Sequence, residues 1–137
     1  MSDTRTITMH WTGGLRFEGR RDGGPVFLFD GDAQAGPSPV DALLGAAAAC
    51  SGIDVVSILE KMREPFTAVE VQAEGTRSAE HPKRITHLTL TYLVTGTGLD
   101  AAKVRRAAEL SVEKYCSVLQ TFSKETVLVW RTELRTP

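Results

Sequence analysis

The chain has 137 residues, 42% of them hydrophobic and 24% charged, with 16 Lys and Arg against 17 Asp and Glu. That length predicts one domain, residues 1–137, with a core of its own. A net charge of −1 excludes the basic footprint of a binder of nucleic acid or of an anionic membrane surface. The opening MSDTRTITMHW lacks a charged segment followed by an apolar run, so no secretory signal is expected and the default location is cytoplasmic.

Thr4 to Trp11 partly alternates and is rich in strand formers, which predicts a first strand. Gly13-Gly14 marks a turn, and Leu15 to Glu18 resumes extended structure. The Asp-Gly step in Arg20 to Gly24 suits a hairpin turn before a third strand, Pro25 to Phe29. Asp30 to Gly36 is a polar loop.

Pro39 to Met62 is the longest helical pattern, about 36 Å at 1.5 Å per residue. Ser38 stands at the N-cap, and Pro39 occupies the first helical position, where a missing N–H costs nothing. Asp41 falls in the first turn, where negative charge suits the helix dipole. At 100° per residue Leu43, Ala46, Ala47, Cys50 and Ile53 share one stripe, and Leu44, Ala48, Val55, Leu59 and Met62 share another. A helix apolar on two sides is expected to be buried on two sides. Asp41, Asp54, Glu60 and Lys61 argue against a membrane span.

Beyond a break at Glu64-Pro65, Thr67 to Arg77 alternates as a half-buried strand. A turn at Ser78 to Pro82 leads to the clearest strand, Lys83 to Thr95, closed by Gly96 and Gly98. Asp100 can cap a second helix through Ala101, Val104, Ala107, Ala108, Leu110 and Ser111, which continues or restarts as far as Leu119. Thr126 to Leu134 is a final strand. The order βββ-α-ββ-α-β describes an α+β domain.

Few residues offer chemistry. The glycine clusters GGLRFEG and RRDGG are not followed by a helix, so they read as hairpin turns rather than phosphate cradles. His10, His81 and His87 have no ligand-like spacing, and no C-x-x-C exists, so neither metal nor cofactor is expected. That leaves Cys50, between Ala49 and Ser51 in the long helix, and Cys116, two residues after Lys114. With no export signal a structural disulfide is not expected. The thiols are either small apolar side chains or a redox pair, and spacing alone leaves both open.

The segments SPVDALLGAAAACSGIDVVSIL and, about 60 residues later, SVEKYCSVL resemble the OsmC/Ohr family of thiol peroxidases. The likeness is closest to its YhfA-like branch, and it extends to Trp11–Gly19 (WTGGLRFEG), Cys50–Leu59 and Leu110–Val118. The resemblance implies antiparallel sheets wrapped around a long central helix in an intertwined homodimer. It implies Cys50 as the peroxidatic cysteine and Cys116 as the resolving one, with an organic hydroperoxide as substrate and a dithiol, such as that of a lipoyl protein, as reductant. Relatives activate the thiolate with an early Arg and a Glu ten residues before the first cysteine. Val40 stands at that Glu position, which leaves Asp41, one residue on, as the acidic candidate; Arg16, Arg20 and Arg21 all lie in the right region for the Arg and none matches a motif, with Arg16 taken as the candidate. The departure at Val40 keeps an alternative open: the same fold holding an apolar ligand, with weak or no peroxidase activity.

Overall fold

A computed structural model describes residues 2–137. Its elements are β1 (Ile7–Gly13), β2 (Arg16–Arg21), β3 (Phe27–Asp30), α1 (Pro39–Lys61), β4 (Phe66–Arg77), β5 (Ile85–Gly96), α2 (Ala101–Leu110), a π-helical turn (Ser111–Tyr115), α3 (Ser117–Thr121) and β6 (Val127–Arg135). The mixed α+β class and the expected order of strands and long helix are both present. The chain divides into two compact units, one ending at Leu43 and the other running from Leu44 to Pro137.

The first unit is an antiparallel meander in the order β1-β2-β3. Gly13 and Gly14 make its first turn at φ 119° and 55°, a region that side chains disfavour. The Trp11 indole N–H donates to the Gly14 carbonyl at 2.9 Å and pins that turn. Gly19 is not a turn residue, contrary to the sequence reading. It sits mid-strand opposite Met9, where an added Cβ would come within 1.9 Å of the Thr8 carbonyl oxygen. Its role is to let two strands approach.

The polar loop after β3 is organised by Asp30, which is almost fully buried. Its carboxylate accepts from the backbone N–H groups of Asp32 (3.0 Å), Gln34 (3.3 Å) and Ala35 (3.0 Å). Donation from Ala35 and Asp32 holds its carboxyl below the usual range. Ser38 and Asp41 then form a reciprocal cap. The Asp41 N–H donates to Ser38 Oγ (3.1 Å), and the Ser38 N–H donates to Asp41 Oδ2 (3.2 Å).

The second unit is built on a sheet in the order β4-β5-β6. β4 and β5 pair antiparallel, with Val71 opposite Tyr92 and Ala73 opposite Leu90. β5 and β6 pair in parallel, with Leu90 level with Trp130. This corrects the expectation of purely antiparallel sheets. A parallel pair needs a crossover longer than a hairpin, and the segment from α2 to α3 supplies it. Paired on both edges, β5 carries the core: Leu88, Leu90, Tyr92 and Val94 are fully buried.

α1 rests on this sheet through Ala47, Ser51, Val55 and Leu59, spaced four residues apart and all fully buried. Gly52 lies against β4, where an added Cβ would be 3.2 Å from a Val71 methyl. By length and composition α1 could cross a bilayer, but this buried stripe makes it the core helix of its unit. The chain covers only one of its two apolar sides, and Ile53 remains 69% exposed. The helix stops in a Schellman motif. Glu64 N–H donates to the Leu59 carbonyl and Arg63 N–H to that of Glu60, both at 3.0 Å, with Arg63 left-handed at φ 58°.

Candidate active site

α1 and the π turn bring the two cysteines together. Both are free, Cys50 half-buried and Cys116 fully buried. The π turn closes when the Cys116 N–H donates to the Ser111 carbonyl at 2.9 Å, five residues back. Gln120 Nε2 donates to the Val112 carbonyl at 3.0 Å, satisfying a group that the widened turn leaves free. Cys116 then turns extended (φ −76°, ψ 101°) and begins α3, with its sulfur accepting from the Leu119 N–H at 3.4 Å. Burial pushes the Cys116 thiol up to about 11, and the neighbouring Cys50 thiol adds to the rise against the opposing Leu119 N–H. Cys116 is therefore a protonated thiol at neutral pH.

Under the two cysteines lies a hydrogen-bonded cluster that the sequence did not reveal. Ser51 Oγ meets the Tyr92 hydroxyl at 2.5 Å and Ser111 Oγ at 2.7 Å. Ser111 Oγ also meets Asp54 Oδ2 at 2.8 Å. Ser51, Tyr92 and Ser111 are fully buried, and Asp54 is half-buried on the next turn of α1. The first three come from α1, β5 and the π turn, so one cluster joins the elements that carry and flank both thiols. Burial raises the Tyr92 hydroxyl to about 12; the bond from Ser51 opposes this, and Cys116 and Asp54 add to it.

These two values fix a pH dependence. Thiol and phenol both hold their protons more tightly when folded than their ordinary values of 9.0 and 10.0 allow in the unfolded chain. Stability is complete below pH 9. It falls as pH rises toward 11 through Cys116, and from 10 toward 12 through Tyr92. Urea midpoints measured across this range should drop for the wild type and drop less steeply for Cys116→Ala and Tyr92→Phe. Parallel curves would contradict the assignment.

The other two candidates are engaged inside the first unit. Arg16, half exposed on β2, faces buried Asp30 with Nε 3.9 Å from Oδ2. Asp41 is occupied by the cap with Ser38, and α1 runs unbroken through Gly45. Among the described residues no cluster of three or more His, Cys, Asp or Glu could hold a metal ion.

Known proteins share this arrangement's sequence and fold. The family model described as OsmC-like protein matches residues 30–131, which include both cysteines and the whole hydroxyl cluster. Protein YhfA of Escherichia coli is 44% identical over 115 residues, 83% of this chain and 86% of that protein. A hypothetical protein from Aquifex aeolicus superposes with a TM-score of 0.89 at 26% identity, covering 99% of both chains. The organic hydroperoxide resistance protein OhrB of Bacillus subtilis shares the fold at a TM-score of 0.61 and 19% identity, covering 97% of this chain and 98% of that one. With one cysteine on the long helix and the other after the π turn, both inside the matched residues, the chain belongs to the OsmC-like family.

Proposed function

We propose that the protein is a thiol-dependent peroxidase that reduces organic hydroperoxides. The observation that carries this reading is the pairing of a half-exposed Cys50 with a buried, protonated Cys116 beside it. Its family supports it, and so does its fold likeness to a protein named for organic hydroperoxide resistance. Cys50, the thiol that a peroxide can reach, attacks as thiolate. The O–O bond breaks, one oxygen stays on sulfur as a sulfenic acid, and the alkoxide leaves as alcohol after taking a proton. Cys116 then attacks the Cys50 sulfur. An S–S bond replaces the S–O bond, and the Cys116 proton leaves with the oxygen as water. A dithiol returns both cysteines to thiols by exchange, as a reducing cytoplasm would permit. The alanines beside Cys50 on α1, Ala46, Ala47 and Ala49, make that flank apolar, which favours organic over inorganic peroxides. Arg16 and Asp41 already have partners in Asp30 and Ser38, so the reading rests on the thiols.

The test is consumption of cumene hydroperoxide in the presence of dithiothreitol. A Cys50–Cys116 disulfide should appear by mass under non-reducing conditions once the dithiol is removed. Its absence after peroxide treatment would sink the reading.

The proposal includes a homodimer. The uncovered side of α1 borders a groove of about 620 Å³ lined by Gly45, Ala48, Ala49, Gly52 and Ile53 of α1 with Val71 of β4. Small residues there allow close approach by a second helix. Ile53→Glu should leave a lone monomer within about 0.5 kcal/mol of wild type. In a dimer it buries an unpaired charge and weakens association by at least about 100-fold. Analytical ultracentrifugation of wild type and variant decides between these outcomes. The same groove supports the second reading, an apolar-ligand binder, and native mass spectrometry would then show a retained small molecule.

A further inference from the structure

The buried cluster of Ser51, Tyr92, Ser111 and Asp54 has no part in the chemistry above. It is nevertheless fully satisfied: among the described residues no buried side-chain nitrogen or oxygen lacks a partner. Its placement is specific. Ser51 follows Cys50 directly on α1. Ser111 opens the π turn, and its carbonyl receives the Cys116 N–H at 2.9 Å. Ser111 Oγ also lies 3.4 Å from the Ser51 carbonyl oxygen, so the turn touches both the side chain and the backbone of the residue after Cys50. Tyr92 anchors Ser51 from the central strand, and Asp54 holds Ser111 from the same helix.

We propose that this cluster is a positioning element. It locks the π turn that presents Cys116 onto the helical turn that carries Cys50, and so raises the effective concentration of one thiol at the other. The proposal rests on reading the cysteines as a redox pair. Forming a disulfide brings two Cα atoms to about 5.5–6 Å, and a partner already held in place saves the entropy of finding that geometry. A loosened turn makes the bond slower to form and easier to reduce. The four residues act through the cysteines and touch neither peroxide nor reductant.

The experiment uses the full-length protein equilibrated in glutathione redox buffers. Each Cys50–Cys116 disulfide formed there reduces one glutathione disulfide to two glutathione thiols. The disulfide fraction is read by alkylation and mass. Tyr92→Phe and Ser111→Ala each remove one hydroxyl and keep the packing. Each should lower the effective concentration by roughly tenfold, the worth of one buried hydrogen bond. Val104→Ala, a buried change on α2 outside the cluster, should reduce stability and leave the thiol–disulfide equilibrium where it was. The proposal is overturned if both hydroxyl variants match wild type, if Val104→Ala shifts the equilibrium as far as they do, or if wild type forms no intramolecular disulfide. Hydroperoxide consumption is measured alongside. A wild type that shows the variant-dependent disulfide and consumes no peroxide keeps the positioning role and removes the peroxidase reading.

Discussion

Cys50→Ser should abolish hydroperoxide consumption, with turnover at least about 10³-fold below wild type, because a serine hydroxyl cannot supply the nucleophile. Cys116→Ser should fail differently. The half-exposed Cys50 still meets its substrate, so one equivalent of peroxide is consumed, but the product is a sulfenic acid with no neighbouring thiol to trap it. Excess peroxide should then carry Cys50 on to the sulfinic acid, while the wild type is protected as a disulfide. Stopped assays followed by intact-protein mass separate the two variants. A Cys50→Ser protein that turns over like wild type would end the proposed mechanism, and a Cys116→Ser protein that resists over-oxidation would remove Cys116 from it.

The second large effect concerns the sheet under the site. Leu90→Ala should cost about 3–5 kcal/mol, the upper part of the range for a buried leucine. Leu90 is fully buried on β5, between Ala73 of β4 and Trp130 of β6. Ladder hydrogen bonds on both edges hold the strand in place, so neighbours cannot easily relax into the cavity. A urea titration gives the number. A loss under about 1 kcal/mol would mean that β5 is not the centre of this core.

Local signals made much of this fold legible. Ser38, Pro39 and Asp41 announced the start of α1, and the structure shows the reciprocal cap their types allow. Alternation placed β4 and β5 to within a few residues. The two thiols were found by residue type, and only resemblance paired them. What escaped depends on distant partners. Ser51 meets Tyr92 across 41 residues and Ser111 across 60, so no window of sequence holds the cluster. In sequence Ser51 was one more small residue in an alanine run, and Tyr92 one more apolar position in a strand. The π turn escaped for another reason. Leu110 to Leu119 keeps near-helical spacing, and a turn wider by one residue shows only when Cys116 N–H bonds Ser111 rather than Val112. The parallel pairing of β6 was hidden because a strand's own pattern does not state its direction.

That parallel pairing also ties the sheet to the thiol site. A parallel neighbour for β5 cannot arrive by a hairpin, so the chain must cross over between Gly96 and Val127. Ser111 and Cys116 both lie on that crossover. One connection thus sets the direction of β6 and delivers the second thiol to α1.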